Sequence, residues 1–137
     1  MTMPGDMKIW TFTAAALFAG PATAELREMP DYFVEALVAT STAQAVALSC
    51  PALSVNPIAA VQASDGLLAK LQADGIDVSD PASSFLPGDD KLAAAQTAFM
   101  DKHALDGAGA EAVCAAGKAE IAEGTSIGAL LVGEEGQ

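Results

Sequence analysis

The sequence has few basic residues. Lys and Arg number 6 against 18 Asp and Glu, which gives a formal net charge of −12. Nucleic acids and anionic membrane surfaces are bound by clustered positive charge. We therefore expect no nucleic-acid partner and no electrostatic binding to membranes. The surplus of carboxylates favours solubility and leaves a cationic protein partner open.

Aromatic residues are also scarce. They make up 5% of the chain, while hydrophobic residues make up 52% and many of these are alanine. Alanine-rich helices pack closely but bury a modest area for each residue. No stretch alternates between apolar and polar residues with a period of two, so the sequence predicts no sheet. The length of 137 residues is enough for one domain.

Long apolar runs are absent too, and the longest one is typical of an export signal. Residues Ile9–Gly20 carry no charge but are too few to span a bilayer, which takes about 20 residues. Small residues follow at Ala22 and Ala24, the pattern that a signal peptidase reads. We predict a signal peptide over residues 1–24, cleaved between Ala24 and Glu25, and a single helical domain over residues 25–137.

The predicted mature chain has no cysteine at the cleavage point and no later run of about 18 apolar residues. We expect it to carry no membrane anchor and to be free in the periplasm or secreted. A chain that starts at Met7 would begin with Lys8 before the apolar run and would leave out Asp6, which gives the positive start typical of a signal peptide. We therefore hypothesise that Met7 is the natural start.

Cysteine occurs at Cys50 and Cys114 and nowhere else. An even number of cysteines in a small exported domain favours a disulfide. A redox pair is more often Cys-x-x-Cys, which the sequence lacks. We predict a structural disulfide, in preference to two free thiols or a redox function.

Helical periodicity runs through most of the predicted domain. Apolar positions recur at spacings of three and four, and Asn56-Pro57 combines a helix N-cap with proline at the first helical position. Pro51 stops the first helix, while Gly75 and Gly124 follow later ones as C-caps. We predict an all-α bundle of four to five helices. The predicted helices cover residues 31–49, 57 to about 74, 91 to about 104, 110–123 and 127–132.

The segment Gly124–Gly128 matches the Gly-x-Ser-x-Gly elbow of serine hydrolases. That elbow follows a strand and needs a histidine later in the chain. Here a predicted helix precedes the segment, and the only histidine, His103, lies before it. We interpret the segment as a helix C-cap joined to the N-cap of the next helix, and expect no enzyme activity from it.

No residue set has the spacing of a metal or cofactor site. A lone histidine cannot form a zinc site, and we place His103 at a half-exposed helix end, with a pH-sensitive contact as the alternative. Asp74, Asp77 and Asp80 lack the distal glutamate of a calcium loop. Caps and turns explain these aspartates, so we expect no metal and no cofactor.

The C-terminal run from Cys114 to Leu131 resembles the pattern C-x-x-G-x-x-E-I-x-x-G-[ST]-x-I-G-x-L-L of a family of small secreted bacterial proteins, the domain of unknown function numbered 5333. The start of the predicted domain at Leu26–Pro30 and the cysteine that ends the first helix are similar as well. The resemblance implies a helical exported domain with its two cysteines paired, and it implies no activity. The residues that carry it are Gly117, Glu120, Ile121, Gly124, Thr125, Ile127 and Gly128.

Within this signature the glycines suit close helix packing and the isoleucines suit burial. Glu120 is the exception, and we hypothesise that it pairs with Arg27; bonds from the backbone of a neighbouring helix start are the alternative. As a function we expect a non-enzymatic binding or accessory protein in the periplasm or outside the cell. The alternatives are a periplasmic chaperone active in acid and a small enzyme that uses Asp or Glu chemistry.

Overall fold

The computed structural model describes residues 25–134. The predicted signal peptide, with Ala24 at its cleavage point, lies outside the described residues. In chain order the elements are α1 (Asp31–Ser49), β1 (Leu53–Val55), α2 (Pro57–Ala73), a 3-10 turn (Pro81–Ser84), α3 (Asp89–Lys102), α4 (Ala110–Glu123), α5 (Ser126–Ala129) and β2 (Leu131–Gly133).

Local signals set most helix ends where the sequence predicted them. The Asn56 side chain accepts hydrogen bonds from the backbone N–H groups of Ile58 and Ala59, which caps α2. Gly124 takes a left-handed backbone with φ 67° and caps α4. The start of α3 differs, because Gly88 is its N-cap and Asp89 and Asp90 lie inside its first turn. There the two negative carboxylates interact favourably with the positive end of the helix dipole.

The predicted absence of a sheet is wrong. β1 and β2 form a two-stranded antiparallel sheet in which Leu53 faces Gly133 and Val55 faces Leu131. The last helix consequently ends at Ala129, and the predicted continuation to Val132 becomes strand. A three-residue strand is too short to show a period of two, so the sequence pattern does not reveal it.

Within residues 25–134, the buried residues form two clusters. The larger cluster packs the C-terminal half of α1 against the sheet, and its buried residues are Ala39, Ala43, Val46, Cys50, Leu53, Leu130 and Leu131. The smaller cluster joins the start of α1 to the end of α2 and comprises Phe33, Leu71, Ile76 and Phe85. Leu37 of α1 belongs to neither cluster and is 38% exposed.

The disulfide between Cys50 and Cys114 is present. It ties the residue that caps α1 to the second turn of α4, across 64 residues of sequence. Cys50 is fully buried in the larger cluster, so the bridge lies inside the core. Within residues 25–134, no helix combines the length and the apolar character needed to cross a membrane.

We expect the disulfide to provide a large share of the stability. Replacing both Cys50 and Cys114 by alanine should lower the free energy of unfolding by up to about 4 kcal/mol, because the bridge restricts the unfolded chain over a long loop. Urea unfolding followed by circular dichroism measures this difference. Reductant should destabilise the wild type and leave the double variant unchanged; equal stability of the two proteins in oxidising buffer would contradict the prediction.

Candidate functional site

A buried carboxylate lies where three helices meet. Glu120 is on the inner side of α4, and its side chain is 2% exposed. The end of α3 supplies Lys102 and His103, and Thr125 is the N-cap of α5. We call these four residues the Glu120 cluster. Burying a carboxylate costs free energy unless hydrogen-bond donors surround it. The Glu120 cluster supplies such donors from the end of α3 and the start of α5.

Both oxygens of the Glu120 carboxylate have partners. His103 Nε2 lies 2.7 Å from Oε1, and Lys102 Nζ donates to the same oxygen at 2.9 Å. The Thr125 hydroxyl donates to Oε2. Lys102 also pairs with Glu123 at 2.6 Å, on the outer side of α4. A hydrogen on His103 Nε2 therefore points at the carboxylate, which sets the orientation of the imidazole ring.

These contacts keep Glu120 ionised. Burial raises its pKa, but the hydrogen bonds from His103, Thr125 and Lys102 outweigh burial and lower the pKa to about 2. Since neither oxygen is free and the side chain is almost wholly buried, the carboxylate does not meet solvent or a ligand in this conformation. Its role is to hold α3, α4 and the start of α5 together.

The hypothesised pairing of Glu120 with Arg27 is wrong. The Arg27 guanidinium instead donates to the backbone carbonyl of Asp74 at 2.7 Å. His103 is also more buried than we expected, because its side chain is 10% exposed and packs on Phe99 with ring centroids 4.9 Å apart. The sequence did contain a signal for this contact. An acidic residue on the inner face of α4 needs hydrogen-bond donors, and Lys102 and His103 lie at the end of the preceding helix.

The signature residues divide into packing and capping roles. A Cβ on Gly117 would press on Leu53 and Val46, and one on Gly128 would overlap the backbone carbonyl of Glu120. The Thr125 hydroxyl accepts from the Gly128 N–H at 3.1 Å while it donates to Glu120. Glycine at 117 and 128 therefore lets α4 approach the sheet and α5 closely.

The two isoleucines of the signature differ in how deeply they are buried. Ile127 packs against the larger core cluster, as expected, but Ile121 is 37% exposed. The Gly-x-Ser-x-Gly segment is a helix C-cap followed by an N-cap, as interpreted from the sequence. Its Ser126 hydroxyl donates to Glu35 on α1, and the helix α4 precedes it.

The predicted turn chemistry holds for Asp77, which accepts from the backbone N–H of Ser79 at 2.9 Å. Asp74 accepts from the Tyr32 hydroxyl and so links α2 to α1. Within residues 25–134, no three His, Cys, Asp or Glu side chains are grouped so that they could hold a metal ion.

An open groove of about 570 Å³ lies between α1, α3 and the start of α5. Its floor consists of small and branched apolar side chains, and carboxylates and one lysine stand at its rim. We call it the acidic groove. It is lined by Asp31, Val34, Glu35, Val38, Ala39, Lys91, Ala94, Ala95, Thr125, Ser126 and Ile127.

The rim charges are mostly negative. Lys91 pairs with Glu28 at 2.9 Å, lies 3.8 Å from Asp31 and donates to the Met29 carbonyl at 3.2 Å. Its charge is thereby matched by Asp31 of the rim and by Glu28, which lies outside the groove lining, and Glu35 adds a further negative charge to the rim. Thr125 belongs to both the groove and the Glu120 cluster, so the cluster fixes one end of the groove wall.

We expect Glu120→Gln to reduce stability at neutral pH by roughly 3 kcal/mol, because a neutral amide is a weaker acceptor than the carboxylate for the hydrogen bonds of Lys102, His103 and Thr125. The folded-state pKa of about 2 is below the ordinary 4.5. The stabilisation is therefore complete above pH 4.5 and is lost as the pH falls towards 2. Urea unfolding across this range should show the gap between wild type and variant closing in acid.

Glu123→Gln is the matched control, since Glu123 bonds the same lysine but is half exposed. An exposed ion pair contributes about 0–1 kcal/mol. If Glu120→Gln behaves like Glu123→Gln at neutral pH, the buried carboxylate does not have the structural role assigned to it.

Gly128→Ala should destabilise the fold by about 1–3 kcal/mol or more, because the new Cβ overlaps backbone and not a movable side chain. Gly66→Ala is the control, since Gly66 lies in α2 with open space around it. That change should stabilise by up to about 1 kcal/mol. Thermal unfolding of both variants checks the pair, and a Gly128→Ala protein as stable as Gly66→Ala would contradict the close packing of α4 and α5.

Comparison with protein families matches residues 24–132 to the family described as "Family of unknown function (DUF5333)". Comparisons with curated proteins and with solved structures find no match to this chain. The matched range includes both cysteines, the Glu120 cluster and every residue that lines the acidic groove. The chain therefore belongs to the DUF5333 family of unknown function.

Proposed function

We propose that this protein is an exported, non-enzymatic binding protein, which holds an amphipathic, positively charged segment of a partner protein in the acidic groove. One observation carries the proposal: an apolar floor and a carboxylate rim occur together in the same groove. The disulfide and the apolar segment at residues 9–20 support export to an oxidising compartment.

The floor of the groove suits an apolar helix face. Val34, Val38 and Ile127 offer branched side chains, while Ala94 and Ala95 on α3 leave space opposite them. Grooves between helices commonly accept an amphipathic helix that inserts residues spaced by three and four positions. The groove volume of about 570 Å³ suits a few such side chains and not a whole domain.

The rim selects the charge of the partner. Asp31 has a fully exposed side chain, and Glu28 is 77% exposed beside it. Glu35 stands on the next turn of α1. Lysine or arginine residues flanking the apolar face of a partner would lie next to these carboxylates, and the net charge of −12 would speed their approach.

The test uses a model helix with leucines spaced by three and four positions, flanked by lysines and labelled with fluorescein. Fluorescence anisotropy measures its affinity for the oxidised chain without residues 1–24. We expect binding that weakens with added salt, and a matched peptide with glutamates in place of the lysines should not bind. In the Ala94→Phe variant, the new ring fills the groove, and affinity should fall at least about tenfold, or 1.4 kcal/mol.

Ala93→Phe is the control for this variant. Ala93 is the preceding, exposed residue of α3 and does not line the groove, and neither change alters the charge of the protein. Diffuse attraction to an acidic surface would leave Ala93→Phe and Ala94→Phe equally able to bind. That result, or equal binding of the lysine and glutamate peptides, would refute the proposal.

A further inference from the structure

Lys91 stands at the rim of the acidic groove and, within residues 25–134, is the only basic residue that lines it. Its Nζ lies 2.9 Å from Glu28 Oε1 and 3.8 Å from Asp31 Oδ1. It also donates to the Met29 carbonyl oxygen at 3.2 Å. Glu28 and Asp31 are the exposed carboxylates next to which a cation of the partner would lie. An ammonium group of the protein itself therefore already occupies this position.

Lys91 also connects the groove to the start of the described chain. Residues 25–30, which we call the strap, run beside the segment that precedes α3. The Arg27 N–H donates to the Ser84 carbonyl at 3.0 Å, and the Leu86 N–H donates to the Arg27 carbonyl at 2.8 Å. The next residues of the strap are held against α3 by the contacts of Lys91. Loss of these contacts would leave the strap more weakly attached.

The ion pair of Lys91 is accessible enough to be exchanged for another one. The side chains of Lys91 and Glu28 are 37% and 77% exposed, and Asp31 is fully exposed. The hydrogen bond to Glu28 raises the pKa of Lys91, so the ammonium group is charged at neutral pH. Exposed ion pairs of this kind are weak because water solvates both charges well. A second cation can therefore replace Lys91 beside these carboxylates.

We propose that Lys91 is an internal competitor, which occupies the Glu28 and Asp31 carboxylates in the free protein and leaves them when a lysine or arginine of the partner binds there. The inference rests on the proposed function, because it assigns a regulatory role to a residue of the acidic groove. Two consequences follow from the exchange. The affinity for the partner is lower than the carboxylates alone would give, and binding withdraws Lys91 from the Met29 carbonyl and loosens the strap.

Lys91→Gln tests the first consequence with the lysine-flanked model helix and fluorescence anisotropy. The peptide should bind this variant about 2- to 5-fold more tightly than the wild type, as the loss of one competing exposed ion pair implies. Lys118→Gln is the matched control, since it removes the same charge from an exposed residue of α4 that does not line the groove. It should have a smaller effect at about 0.15 M salt, where charges are screened beyond about 8 Å. Lys91→Arg retains the competing cation and should bind as the wild type does.

Hydrogen exchange of the strap tests the second consequence and separates displacement of Lys91 from simple charge repulsion. Proton–nitrogen NMR follows the Arg27 and Leu86 amides, whose hydrogen bonds join the strap to the segment beside it. In the wild type these amides should exchange about 2- to 5-fold faster with the peptide bound than without it, because the strap loses one weak ion pair. In Lys91→Gln the exchange should be equally fast with and without peptide.

The possible results separate this inference from the proposed function. If the peptide binds neither the wild type nor Lys91→Gln, the proposed function is wrong and the inference fails with it. If the peptide binds the wild type but Lys91→Gln gains no more affinity than Lys118→Gln, Lys91 is not a competitor, although the groove still holds its partner. Strap amides that exchange at the same rate with and without peptide would overturn the inference in the same way. That measurement on the wild type decides alone if Lys91→Gln does not fold.

Discussion

The buried carboxylate of Glu120 is the contact on which the arrangement of the helices depends. An unpaired carboxylate at this depth would strongly destabilise the fold, yet its own helix supplies none of the three side chains that satisfy it. Lys102 and His103 come from α3, and Thr125 comes from α5. The three helices are therefore held in one arrangement. Because α3 and Thr125 line the acidic groove, the shape of that groove depends on this buried charge.

Small residues explain why such a fold leaves grooves open. Gly117 and Gly128 let backbones approach so closely that a single added carbon would overlap a neighbour. In the core this close approach compensates for the modest area that alanine-rich helices bury, and the disulfide adds stability through the unfolded chain. Between α1 and α3 the short side chains of Ala94 and Ala95 do not fill the space between the helices, and the acidic groove remains. The same abundance of small residues thus produces both a closely packed core and an open groove on the surface.

The sequence correctly predicted the features that depend on residues close together in the chain. The predicted bounds of α1 and α4 agree with the structure, as do the Asn56 cap and the Gly124 C-cap, because caps and breakers act within a few positions. The strands and the partners of Glu120 depend on contacts between residues far apart in the chain. Three-residue strands show no period, and a choice between Arg27 and the Lys102–His103 pair requires the packing of α3 on α4, which local pattern does not contain.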